Sequence, residues 1–296
     1  MMGLAQTRPA LFGFGITLLG AAFFFPDALV VRLIGAHPLD IAVWRGGFAA
    51  VATLGVVALR PGMMRAGLSR VATWPGLAMV LLQGVGAILF LGSLGASSVA
   101  NALLIIAAAP FIAALLSQAF LGERVDPPTW AAIAAVFAGV AVLASGSVAG
   151  GGLAGDAMAL GNAVIIGAYY VVLRRAPDTN LIVPLAFGYL ATALLSLPLA
   201  PHQPMTAHQI GLLALSGGVI LAGGGALLML GPRYLPAAEV TMITMLEIVF
   251  GPLIVWLVLG EAPGPRSLWG GAIILAAILG HAAFRLRREF LERTIT

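Results

Sequence analysis

Residues 239–260 read EVTMITMLEIVFGPLIVWLVLG, and the fold turns on how that stretch is read. A carboxylic acid, Glu247, stands inside an apolar run long enough to cross a bilayer as a helix, and Pro252 follows five residues later. In a soluble domain such a run would be wrapped in charge. Here 61% of residues are hydrophobic, 9% are charged and the mean hydropathy is +1.07, against roughly 25% charged in soluble domains. Similar runs follow one another along the chain, without the alternation of polar and apolar residues that marks barrel strands. The expectation is an all-α polytopic membrane protein.

Arg, Pro, Gly and Asp punctuate the chain into ten spans, near 10–32, 39–59, 74–94, 97–121, 129–147, 155–174, 181–200, 208–230, 235–259 and 267–285. The connections are short, leaving no room for a separate soluble domain. The start, MMGLAQTRPALFGFGITLLGAAFFF, has the look of a signal peptide, but its apolar run continues past any small-residue cleavage site and reads as a retained first helix. The net charge of +4 and pI near 10.3 do not mark a nucleic-acid binder, because the arginines sit in connections and not along one face. With the N-terminus inside, Arg8, Arg60, Arg65, Arg70, Arg124, Arg174, Arg175, Arg233, Arg285, Arg287, Arg288 and Arg293 fall on the cytoplasmic side, and only Arg32, Arg45 and Arg266 outside. Cytoplasmic loops concentrate basic residues, so both termini are expected in the cytoplasm of a bacterial inner membrane.

Residues 101–130, NALLIIAAAPFIAALLSQAFLGERVDPPTW, recur in outline as 239–269. The anchors are Leu121-Gly122-Glu123 and Leu259-Gly260-Glu261, with Trp130 and Trp269 closing each copy. More loosely, Gly20 followed by Phe23 and Phe24 matches Gly167 followed by Tyr169 and Tyr170. Five spans per half is an odd number, so the second copy enters the membrane from the opposite side. The halves are 1–148 and 149–296, the second ending in a basic cytoplasmic tail. Inverted repeats of this kind build many secondary transporters, with substrate held near the midplane between them.

The two Leu-Gly-Glu helix ends, Gly155-Asp156 at the opening of the second half, and Arg45 within Trp-Arg-Gly-Gly-Phe resemble the EamA family of the drug/metabolite transporter (DMT) superfamily. The resemblance covers essentially the whole chain. It implies ten helices, no ATPase domain and export of small metabolites, and the chain resembles YddG-type exporters of aromatic and other hydrophobic amino acids. It also implies that Arg45 braces the bundle more than it binds substrate. One departure is that the family often carries Glu-Pro in the ninth helix, whereas here Ile248 follows Glu247.

Polar residues inside the spans are the candidate site. A carboxylate at mid-membrane costs about 2.5–3.5 kcal/mol on insertion scales. Glu247 must therefore face the bundle interior, pair with a donor or carry a proton. It is read either as a lock between helices or as a contact for a substrate ammonium or a coupling proton. Pro252 is expected to disrupt this helix and free the carbonyl of Ile248. Glu239, roughly 12 Å from Glu247 along a helix, lies near the inner mouth, and its repeat mate Asn101 near the outer one; both also read as ordinary polar helix ends. Asp27, after Pro26, is expected to pair with Arg32 or Arg45 as a clamp or an outer gate. Gln83, Asn162, Tyr169, Tyr170, Thr241 and Thr244 are candidate pocket groups, or plain cross-helix hydrogen bonders. Phe23, Phe24, Trp44, Met79 and Met245 are candidate lining, or core. The 38 glycines, among them those in AGGGA at 222–226, favour close and movable helix contacts.

The remaining function classes fall away. There is no cysteine for a disulfide or thiolate, and His37, His202, His208 and His281 have no metal-ligand spacing. Neither a metalloprotease helix nor a nucleophile elbow is present, and no Walker loop, so no enzyme activity and no cofactor are expected. With no lysine and no clear cation at the midplane, phosphorylated solutes fit poorly. The expectation is a secondary transporter exporting aromatic or hydrophobic amino acids by alternating access. Efflux of drugs or quaternary ammonium compounds by proton antiport is the alternative, and a passive channel stands further off. The expected partners are a small-molecule substrate and the lipid bilayer, with no nucleic acid and a monomeric chain.

Overall fold

The computed structural model describes residues 9–145, 152–177, 179–260 and 264–295. Among these residues the regular structure is helical throughout, and ten helices are long and apolar enough to cross a membrane. In chain order they are α1 (Pro9–Ile34), α2 (Pro38–Ala58), α4 (Trp74–Ala96), α5 (Asn101–Leu121), α6 (Pro127–Ala144), α7 (Leu153–Arg175), α8 (Ile182–Leu199), α9 (Ala207–Arg233), α10 (Ala237–Leu259) and α11 (from Pro265). An eleventh helix, α3 (Pro61–Val71), joins α2 to α4.

Local chemistry accounts for the ends. Prolines occupy the first turns of α2, α3, α4 and α6, where a missing N–H costs nothing. Thr73, Asp126 and Thr206 cap free N–H groups. The repeated Leu-Gly-Glu motif has a physical meaning here: Gly122 (φ 67°) and Gly260 (φ 73°) end their helices in the left-handed conformation that side chains resist. Glu261 and Arg8 lie outside the described residues.

The Arg60–Thr73 connection, read only as a link between spans, folds as α3, with Arg65 and Arg70 exposed and Gly67 buried against Val183 of α8. Its helical run is too short to register as a span. α11 extends over Pro265–Ile295, about 46 Å of rise against a hydrocarbon core of about 30 Å. It therefore outruns the expected 267–285.

Three spans are broken. α1 divides into α1a (Pro9–Phe24) and α1b (Asp27–Ile34) around Pro26. α5 divides into α5a (Val99–Ile106) and α5b (Ala109–Leu121), and α10 into α10a (Ala237–Thr244) and α10b (Leu246–Leu259). The expectation for Pro252 is corrected: α10b runs through it, and the interruption falls at Met245. Ala107 and Met245 each precede their Leu-Gly-Glu leucine by fourteen residues, so the two breaks occupy matching places in the repeat. Pro110 accompanies the first break; the second has no adjacent proline, so register and packing set it.

α7 packs against α4 and α5b, α8 against α2 and α4, and α6 against α11. Small residues allow these approaches: a Cβ on Gly46 would fall 2.7 Å from the carbonyl oxygen of Tyr189. The second-half arm α10a is buried along Ala237–Ile243 and packs against α1a, α5b and α7. The other two arms, α5a and α10b, lack the close packing that α5b and α10a share, and α10b buries only Leu246, Val249 and Gly251. Among the described residues the bundle is thus packed shut at the end carrying most of the arginines and looser at the opposite end.

Candidate functional site

Each of two broken helices starts again with an acid in its first turn: Asp27 in α1b and Glu247 in α10b. Free N–H groups and the positive end of the helix dipole favour a carboxylate there. Asp27 accepts a 2.7 Å hydrogen bond from Arg45 Nη2 and a 2.8 Å bond from Ser216 Oγ. One carboxylate therefore ties α1b to α2 and α9. Ser216 opens a π-helical turn, Ser216–Leu221, within α9. Tyr189 of α8 donates to the carbonyl of Leu221 at 2.8 Å, satisfying an acceptor in that widened turn.

Arg45 is only partly engaged. Its Nε is buried without a partner, and 17% of its side chain stays accessible. Glu247 is half-buried and makes no hydrogen bond or ion pair among the described residues. Its charge lies within electrostatic range of Asp27, Arg45 and Tyr170. Tyr169 and Tyr170 meet edge to face at 5.3 Å, and Tyr189 lies in electrostatic range of both and of Arg45. The arrangement sets an unpaired acid and a part-satisfied guanidinium near three tyrosines, of which Tyr169 is half-buried and Tyr170 and Tyr189 are packed into the core with Met79 and Met245. Phe25 at the α1 break stacks on Phe250 of α10b with centroids 4.4 Å apart.

The other candidates are placed as follows. Phe23 and Phe24 press their rings against Gly223 and Gly224, filling the groove that the AGGGA run opens. Asn162 is buried beside Gly86 with no hydrogen-bonded side chain among the described residues. Gln83 packs on Gly188, and its carbonyl accepts from Thr192. Met79 and Met245 are core. Trp44 is 40% exposed and stacks on Phe48 at the edge of the bundle, apart from the tyrosines. The hydroxyls of Thr241 and Thr244 turn back onto carbonyls of their own helix. Asn101 donates to Asp156 at 2.6 Å, joined by Ser97, and holds α5a to α7. Glu239 sits at the shut end, bound by α11. Arg32 is exposed at the end of α1b.

Tyr189 was missed from sequence. The available signal was the glycine run itself: Gly225 leaves the space that the Tyr189 hydroxyl enters.

The EamA-like transporter family matches this chain twice, over residues 7–145 and 153–282. The chain belongs to that family. It is accordingly a multi-pass membrane transporter of small molecules and not an enzyme. A protein of Rhizobium johnstonii (strain DSM 114642 / LMG 32736 / 3841) named "Riboflavin transporter" is 29% identical over 262 residues, spanning 84% of this chain and 82% of its own length. A crystal structure of a protein 20% identical superposes with a TM-score of 0.80 over 93% of this chain and 98% of its own. At that identity the likeness shows the fold alone. The family match does not reach as far as a substrate.

Proposed function

We propose that this EamA-family chain is a secondary transporter exporting aromatic or other hydrophobic amino acids by alternating access between two inverted halves. The arginine-rich end is read as cytoplasmic, from the bias of basic residues. The looser end then faces outward, and in this reading the solute site opens to that side. What carries the substrate reading is one pairing: an unpartnered, part-accessible Glu247 across from an Arg45 of which Asp27 engages only Nη2. A zwitterion's ammonium suits Glu247 and its carboxylate the spare edge of Arg45. In this reading Arg45 binds as well as braces. An apolar or aromatic side chain suits the grouping of Tyr169, Tyr170 and Tyr189. The site lies within one chain, which supports a monomeric transporting unit.

A second reading has a specific observation behind it, the relative named for riboflavin transport. A flat fused ring would stack on the tyrosines, but an uncharged sugar-alcohol tail offers neither charge for Glu247 and Arg45. A quaternary ammonium compound would satisfy Glu247 alone. Counterflow in proteoliposomes loaded in turn with phenylalanine or tryptophan, riboflavin and a quaternary ammonium dye separates the three. Saturable exchange of the amino acids, competed by one another, supports the proposal. Exchange of riboflavin or the dye with no amino-acid flux overturns it, as does flux that does not saturate.

A further inference from the structure

At the shut end lies a second titratable cluster that the solute site does not use. Glu239 of α10a is 1% exposed, and its Oε1 lies 3.2 Å from Arg285 Nε and 3.5 Å from His281 Nε2. Its other oxygen, Oε2, is buried without a partner, and both ring nitrogens of His281 are buried without a hydrogen bond. Such groups are costly to leave unpaired. His281 and Arg285 stand four residues apart on α11, so both face the same arm.

Elements packed on α10a also bring Arg233, in the Gly231–Arg233 turn, and Arg174 of α7, which is paired with Glu123 at 2.7 Å. Asp126, at the start of α6, has its charge within range of His281 and Arg285, and its Oδ2 lies 3.5 Å from Arg288 Nη1. The part of α1 packed on α11, Pro9–Phe24, brings no titratable side chain. Glu247, the other acid of α10, lies beyond the break at Met245.

We propose that Glu239, His281 and Arg285 form a proton-binding site through which pH at the arginine-rich face sets how readily that end opens. The proposal rests on the alternating-access reading, since α10a must leave its packing for the end to open. With His281 neutral, Nε2 can offer Oε1 at most one uncharged N–H, and Arg285 is the one cation set against Glu239 on α11 at this contact. Taking up one proton makes both nitrogens donors and sets a second cation against Glu239. The latch tightens in acid, and the same proton leaves His281 when the arm moves away.

The test uses the full chain, which has no native cysteine. Ala238→Cys is placed on the buried arm and Ala66→Cys on exposed α3. Labelling by a membrane-impermeant maleimide is read from the arginine-rich face in liposomes at about pH 5.5 and about pH 8, either side of the ordinary imidazole range. The ratio of the two labelling rates cancels the pH dependence of the reagent. The expected ratio at the lower pH is about tenfold smaller, the effect of one uncharged donor becoming a charged one. In His281→Gln the ratio is independent of pH; in Glu239→Gln it is raised at both values. An unchanged ratio in the parent chain, or a parent-like pH response in His281→Gln, overturns the proposal. Because labelling needs no substrate, a wrong solute assignment leaves this result interpretable. Failure of Ala238→Cys to label at either pH and in Glu239→Gln refutes the moving arm itself.

Discussion

Removing the Asp27 carboxylate tests whether the clamp beside the site holds the looser end together. Asp27→Asn leaves the geometry nearly intact but deprives Arg45 of its ion pair; Ser216 keeps an acceptor. Breaking a fully buried pair by removing one partner costs about 3–5 kcal/mol. Here 17% of the Arg45 side chain and 11% of the Asp27 side chain remain accessible, so the expected loss is smaller, about 2–3 kcal/mol. At about 2 °C per kcal/mol for a chain of this length, the unfolding midpoint in detergent falls by about 4–6 °C. The double change Asp27→Leu with Arg45→Leu removes both charges and should recover most of that loss, because no guanidinium is left unpaired. The assay is a double-mutant cycle on thermal unfolding. A coupling energy below about 0.5 kcal/mol, or a double variant as unstable as the sum of the singles, refutes the reasoning.

Three other outcomes are expected. Glu247→Gln leaves folding intact, weakens binding of zwitterionic amino acids about tenfold or more, and spares uncharged aromatic solutes; equal losses for both in a binding assay count against an ammonium contact. Asp126 caps α6; burial opposes its ionisation, but the Thr129 hydroxyl and N–H, helped by Arg285, hold its pKa below the ordinary value. Its folded pKa is depressed, so its contribution is present above about pH 4 and is lost as pH falls through the folded value. Melting against pH should then show a flatter acid limb for Asp126→Asn. Gly20 sits where a Cβ would lie 2.9 Å from the backbone N of Leu228; Gly20→Val should cost about 1–3 kcal/mol by overpacking α1 on α9, and an unshifted midpoint would contradict that contact.

Apolar runs longer than a bilayer's thickness can only be spans in a chain this poor in charge, so the ten helices were legible throughout. The Asp27–Arg45 pair was legible because an isolated acid in a span needs a partner. The breaks were harder. Pro252 looked like the disruptor because proline lacks an N–H, yet α10 bends at Met245, where only the match to Ala107 could have pointed. α3 escaped because an eleven-residue helix with two arginines carries no spanning signal. The grouping of Tyr189 with Tyr169 and Tyr170 needed the packing of α7 and α8 on α4, which periodicity does not encode. For the same reason Trp44 and Met79, attractive by residue type, stand at the bundle edge and in the core.

The central claim is that the break in α10 and the buried body of α10a see opposite faces of the membrane in alternation. Single cysteines at Thr244, half-buried beside Glu247, and at Thr241, sealed in α10a, report on it directly with impermeant maleimide. The account predicts that Thr244→Cys labels from the outer face without substrate and that Thr241→Cys does not. A transported solute should slow the first and open the second to the arginine-rich side. Labelling of both positions from one face, whatever solute is present, would contradict it.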